Sequence, residues 1–152
     1  MASLNSTTYT NQAAGKATIP GPAVGGNLMV SQQVTIAVPS SGSGTALNDT
    51  LGLFYVPKGA TLKDFRLDSD DLDSNGSPAI TLDVGDSGSA TRLMSASTIA
   101  QAGGRAYALT TAYGYQFPAD TAIFATVHAA AATKQAGNLV ATIEYTLDGF
   151  AS

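Results

Sequence analysis

The stretch Leu139-Val140-Ala141-Thr142-Ile143-Glu144-Tyr145-Thr146-Leu147-Asp148 decides the fold class. Leu139, Ala141, Ile143, Tyr145 and Leu147 fall on one side of a period of two, and Val140, Thr142, Glu144, Thr146 and Asp148 on the other. That is the pattern of a strand with one buried face and one face in water. Upstream, Ile123 to Val127, Tyr107 to Thr111, Thr61 to Asp68 and the continuous apolar run Leu51 to Val56 read as further strands. Ile80, Leu82 and Val84 alternate with Thr81 and Asp83, and Val34, Ile36 and Val38 with Thr35 and Ala37. Between them lie turn clusters such as Pro57-Lys58-Gly59 and Asp68 to Pro78, where proline presets φ and glycine supplies positive φ. Arg92 to Ala102, with Met94, Ala96, Ile99 and Ala100, is expected as a short helix closed by Gly103-Gly104.

About eight short strands with turns between them, and at most one short helix, predict an all-β fold. The expected form is an antiparallel β-sandwich of jelly-roll or Greek-key type over residues 31–152. Residues 1–30 differ: Gly15, Pro20, Gly21, Pro22, Gly25 and Gly26 punctuate only scattered large apolar groups. Prolines flanking a glycine fit neither a helix interior nor a central strand, so this segment is expected as an extended N-terminal arm.

Composition excludes several functions. The 152 residues hold no cysteine and no tryptophan, one histidine, and 12% charged residues with a net charge of -4. Without cysteine there are no disulfides, thiolate metal sites or cysteine nucleophiles. An acidic chain with seven scattered Lys and Arg lacks the footprint of a nucleic-acid binder. No run approaches the roughly 18 apolar residues that span a bilayer, so no membrane partner is expected. The first ten residues show no basic, apolar leader, and no secretory signal is expected. Of the acidic residues only Glu144 is glutamate; the rest are aspartate, the residue of turns and caps.

Asp71-x-Asp73-x-Asn75-Gly76 matches the first half of a calcium loop, in which oxygen ligands alternate. The twelfth position, which should be a bidentate glutamate, is Leu82. A solvated loop of Asx turns is therefore expected; Asp71, Asp73 and Asn75 as calcium ligands are the alternative, and no other cofactor is expected. His128 stands alone at a strand end, with no nucleophile elbow or phosphate loop elsewhere, and the chain is expected not to be an enzyme. Tyr107, Tyr113, Tyr115 and Phe117 form a local aromatic cluster. Tyrosine gives large contact area at small entropic cost, so Tyr113, Tyr115 and Phe117 are candidates for a subunit or capsid contact, with core packing the alternative. Leu4, Tyr9, Ile19, Val24 and Leu28 are the corresponding candidates on the arm.

Leu51 to Leu62 (Leu-Gly-Leu-Phe-Tyr-Val-Pro-Lys-Gly-Ala-Thr-Leu), followed by Asp70 to Asp86, resembles the capsid decoration (cement) and related head proteins of tailed bacteriophages. The resemblance covers roughly residues 47–130 and rests on strand and turn phrasing. It implies a β-sandwich, often a trimer, that binds the major capsid protein outside the shell and stabilises it, in a virion assembled in the host cytoplasm. The arm is expected to anchor the protein on the capsid or to clasp a neighbouring subunit by strand addition. The competing expectations are a tail or fibre component, and a calcium-dependent carbohydrate-binding or adhesin module.

Overall fold

In the computed structural model, which describes residues 3–5, 10 and 28–147, the period-two segments pair into two facing sheets. The strands are β1 (Ser3–Asn5), β2 (Leu28–Val38), β3 (Thr50–Val56), β4 (Ala60–Ser69), β5 (Thr81–Asp86), β6 (Ser89–Ser97), β7 (Gly104–Tyr107), β8 (Thr121–Ala129) and β9 (Gly137–Leu147). One sheet has the order β1-β3-β8-β5-β6 and the other β2-β9-β4-β7. All pairings are antiparallel except β1 with β3, which is parallel. The fold is an all-β sandwich.

The strand that opened the sequence reading lies at the centre of its sheet. β9 pairs with β2 along eleven residues without a register break, and with β4 on its other side. Leu139, Ala141, Ile143, Tyr145 and Leu147 are all buried, as the alternation requires. Facing them are Leu53, Phe54, Leu82, Val84, Ile123, Ala125 and Val127 of the other sheet. Burial holds the Tyr145 phenol well above its usual range, at about 12, although Gln32 Nε2 donates to its oxygen at 2.6 Å. Pro57-Lys58-Gly59 makes the expected turn between β3 and β4, with Gly59 at φ +83 and the Ala60 N–H donating to the Pro57 carbonyl.

Three expectations change. Arg92 to Ala102 is not a helix: its first half belongs to β6, and only Ile99–Gln101 forms a single 3-10 turn, which lacks a side-chain cap. β6 pairs with β5 through two register shifts, so Leu93 and Met94 are both buried in succession and the period of two is lost. Tyr107 to Thr111 is not a strand either: β7 ends at Tyr107, and Thr110–Ala112 is a second 3-10 turn. Among the described residues these two 3-10 turns are set in a fold with almost no helix, as expected. β2 begins at Leu28, inside the segment read as the arm, and Ser3–Asn5 pairs with the chain's own β3.

The sandwich has two flanks. On one, β1 and β2 end their sheets next to each other; on the other, β6 and β7 do so, joined by the Leu109 N–H donating to the Leu93 carbonyl.

Candidate interaction surface

The β6/β7 flank is shaped by what the chain does after β7. Beside β4, residues 104–107 pair with 66–69, and the Ala108 N–H then reaches the Phe65 carbonyl. Contact resumes when the Gly114 N–H donates to the Leu62 carbonyl and the Phe117 N–H to the Ala60 carbonyl. In between, the 3-10 turn lifts the chain off the sheet edge. Tyr107, Leu109 and Tyr113 are left 58%, 42% and 39% exposed, three of the largest exposed apolar side chains among the described residues. Burial, and then the nearby Asp64 carboxylate, raise the Tyr113 phenol above its ordinary range. Charges ring the patch: Arg105 Nε donates to Asp68 Oδ1 at 2.6 Å, and the Tyr113 hydroxyl lies 3.4 Å from Asp64 Oδ1.

The neighbouring aromatics divide differently from the sequence expectation. Phe117 is fully buried, so its ring packs this chain's own core and is not available to a partner. Tyr115 is half-buried, edge-on to Phe117 with ring centroids 5.1 Å apart. The Arg92 guanidinium sits 3.9 Å above the Tyr115 ring and is paired with Asp86. Burial pushes the Asp86 carboxyl up, but Arg92 and the N–H groups of Ser89 and Gly88 outweigh it and hold it below the usual carboxylate range. Only Tyr113 of the three proposed contact aromatics is exposed; Tyr107 and Leu109 complete the patch. Leu109 is not marked out in the sequence, because a single leucine between Ala108 and Thr110 reads as core.

On the arm, Leu4 is half-buried against its own core beside Gly44, and Asn5 Oδ1 accepts the Gly52 N–H at 3.0 Å. Leu28 lies opposite Leu147 in β2. Tyr9, Ile19 and Val24 lie outside the described residues.

The aspartate loop is a structural tie. Asp73 is buried, and its carboxylate accepts N–H groups from Ala79 and Ala132 at 2.7 and 2.8 Å through Oδ2, and from Thr133 at 2.7 Å through Oδ1. The Ile80 and Asn75 N–H groups approach at 3.3 and 3.4 Å. Burial works against the charge, yet these N–H groups lower the Asp73 pKa from 3.8 to about 2. Asp71 Oδ1 accepts the Asp73 N–H, and Asn75 Oδ1 accepts the Ser77 N–H, each an Asx turn. Both Asp73 oxygens, Asp71 Oδ1 and Asn75 Oδ1 accept backbone donors, and among the described residues no group of three acidic, histidine or cysteine side chains is placed to hold a metal. His128 is exposed, its Nδ1 2.9 Å from Asp83 Oδ2, while Asp83 Oδ1 accepts the Ala96 N–H. No described helix is long and apolar enough to cross a membrane.

The protein is thus a two-sheet sandwich with exposed apolar side chains on its β6/β7 flank. Comparison with solved structures gives the class more closely. A chain of the cyanophage Pam1 capsid asymmetric unit superposes with a TM-score of 0.71 and is 36% identical, over 88% of this chain and 95% of that one. A chain of the Ralstonia phage GP4 capsid superposes with a TM-score of 0.72 at 29% identity, over 99% and 100% of the two chains. No protein-family model and no curated protein sequence matches the chain. With that identity over nearly the whole of both chains, the protein belongs to the same family as the Pam1 capsid chain, a family of phage capsid-associated structural proteins.

Proposed function

We propose that the protein is a non-enzymatic decoration (cement) protein that binds the major capsid protein on the outside of a phage shell and stabilises it. The observation that supports this most is the 36% identity with a chain of the Pam1 capsid unit across 95% of that chain. The fold suits the role. A shell repeats one contact many times, so a modest patch suffices through avidity. Tyr107, Leu109 and Tyr113 supply that patch, with amphipathic rings and an aliphatic knob inside a charged rim. Trimers, as the sequence resemblance implies, present three such patches at once. A catalytic role would need a nucleophile beside the His128–Asp83 pair, and among the described residues no hydrogen bond places one there.

The test is addition of purified protein to capsids that lack it, followed by sedimentation and by imaging of the particles. The expected result is protein at repeated positions on the shell, and particles that release their DNA at a higher temperature. Tyr107→Ser combined with Leu109→Ser is expected to weaken binding about tenfold or more while leaving the thermal melt of the free protein nearly unchanged. Protein found only on the tail, or absent from the particles, overturns the proposal.

A further inference from the structure

Every sheet edge among the described residues except one is blunted. β1 is three residues long, β6 is broken by two register shifts and carries Arg92, and β7 stops after four residues before the chain swings off the edge. Such devices keep edges from pairing with other chains. β2 has none of them. It is eleven residues long, Leu-Met-Val-Ser-Gln-Gln-Val-Thr-Ile-Ala-Val, without a charge, a glycine, a proline or a bulge. β9 pairs with one side of it, and no described strand pairs with the other. Its outer face is exposed at Met29, Ser31, Gln33, Thr35 and Ala37, all uncharged.

We infer that the β2 edge is the contact between two copies of this protein, in which β2 pairs antiparallel with β2 of the second copy about a two-fold axis at Gln33. Two features suit a second copy as the occupant. The first is register. Residues directly opposite in an antiparallel pair lie on the same side of the sheet, so a two-fold contact must pair positions of equal facing. Centring on Gln33 overlaps the whole strand, Leu28 opposite Val38, and satisfies this throughout. Met29 then faces Ala37, Ser31 faces Thr35 and Gln33 faces Gln33 on the outer side; Val30 faces Ile36 and Gln32 faces Val34 on the inner side. The two four-stranded sheets become one continuous sheet. The second is charge. Two identical charged strands would set like charges against each other, and a strand with none meets itself without that penalty. The two glutamines at the axis each carry both donors and an acceptor, so they can bond to each other. This contact lies on the flank away from the aromatic patch, so both can be used at once.

The experiment is sedimentation velocity on the full chain from about 1 μM to about 1 mM, where a small interface associates. Wild-type protein is expected to double the mass of its smallest stable species, monomer to dimer or trimer to hexamer. Gln33 is exposed, so Gln33→Lys and Gln33→Glu should fold normally, as a thermal melt will show. Each alone places like charges across the axis and is expected to associate about tenfold more weakly or worse. A one-to-one mixture of the two places Lys opposite Glu and is expected to restore the doubling. Wild-type protein that never doubles, a Gln33→Lys protein that doubles as wild type does, or a mixture no better than its components each overturns the inference. So does a β2 edge that cross-links only to a different protein on assembled capsids.

Discussion

Asp73→Ala is expected to lower stability by about 3–5 kcal/mol, the loss that follows when a buried charge-assisted network loses its central partner. The side chain does not pack a core; it gathers backbone N–H groups from two loops far apart in sequence. Its bonds to Ala79 and Ile80 fix the entry to β5, and those to Ala132 and Thr133 fix the loop leaving β8. Alanine fills none of these, and the donors stay buried without a carboxylate. For a domain of this size the thermal midpoint should fall by about 10 °C. Asp71→Ala, which removes one acceptor of one N–H, should cost about 1 kcal/mol. Equal midpoints for the two variants would remove the special place given to Asp73.

The same residue sets an acid limit. The folded pKa of Asp73 lies at about 2, below its ordinary 3.8, so the folded state binds its proton more weakly than the unfolded state. Stability from this group is therefore complete above about pH 4 and is lost as pH falls towards 2. The shift corresponds to about 2 kcal/mol. Asp73→Asn has no such proton to bind, so the gap in midpoint between it and the wild type should narrow between pH 4 and pH 2. A gap that stays constant over that range would contradict the assignment.

Gly85→Ala is the second large effect expected, a loss of about 3 kcal/mol or failure to accumulate folded protein. Gly85 lies in β5 where the hairpin to β6 is tightest. A methyl group there would sit 2.1 Å from the Ser89 carbonyl oxygen and 2.6 Å from the Ala90 carbonyl carbon, both backbone atoms. No rotamer relieves such a contact, so the two strands must part. Parting them also disturbs the Asp86 carboxylate, which accepts the Gly88 and Ser89 N–H groups and holds Arg92 over Tyr115. The control is Gly76→Ala in the aspartate loop, where nothing lies within 4 Å, and its stability should stay within about 0.5 kcal/mol of wild type. A Gly85→Ala melt that overlays the wild type would mean that the hairpin is looser than these distances state.

What was legible in the residues is what depends on near neighbours. β8 and the second half of β2 keep a clean alternation, and β9 does so apart from the buried Thr142, because one face meets the core and the other is open to water. β6 was misread as helix because its register shifts put Leu93 and Met94 inside in succession, and Ala96 takes a positive φ of 47 while donating to Asp83. β1 has a single large apolar side chain, Leu4, too little for any pattern to register. At the aspartate loop the Asx spacing was plain, but the partners of Asp73 lie 59 and 60 positions away, and no local motif announces them. Likewise the aromatic cluster was visible as a cluster. Its division into a buried Phe117 and exposed Tyr107 and Tyr113 is set by the 3-10 turn beside β4, which carries no cap to mark it. The bare edge of β2 was legible as a run without charge, though its position at the end of a sheet was not.

The order of strands also governs how the protein is made. β9 is the central strand of its sheet, yet Gln33 and its partner Thr142 stand 109 positions apart in the chain. A ribosome adding about 5–20 residues per second releases β2 several seconds before β9 exists. Through that interval β2, uncharged along its whole length, lacks β9, the one strand that pairs with it among the described residues. The four-stranded sheet therefore closes only at the end of synthesis, and high-level expression should favour mispaired aggregates of nascent chains. Slower translation or lower temperature is the expected remedy.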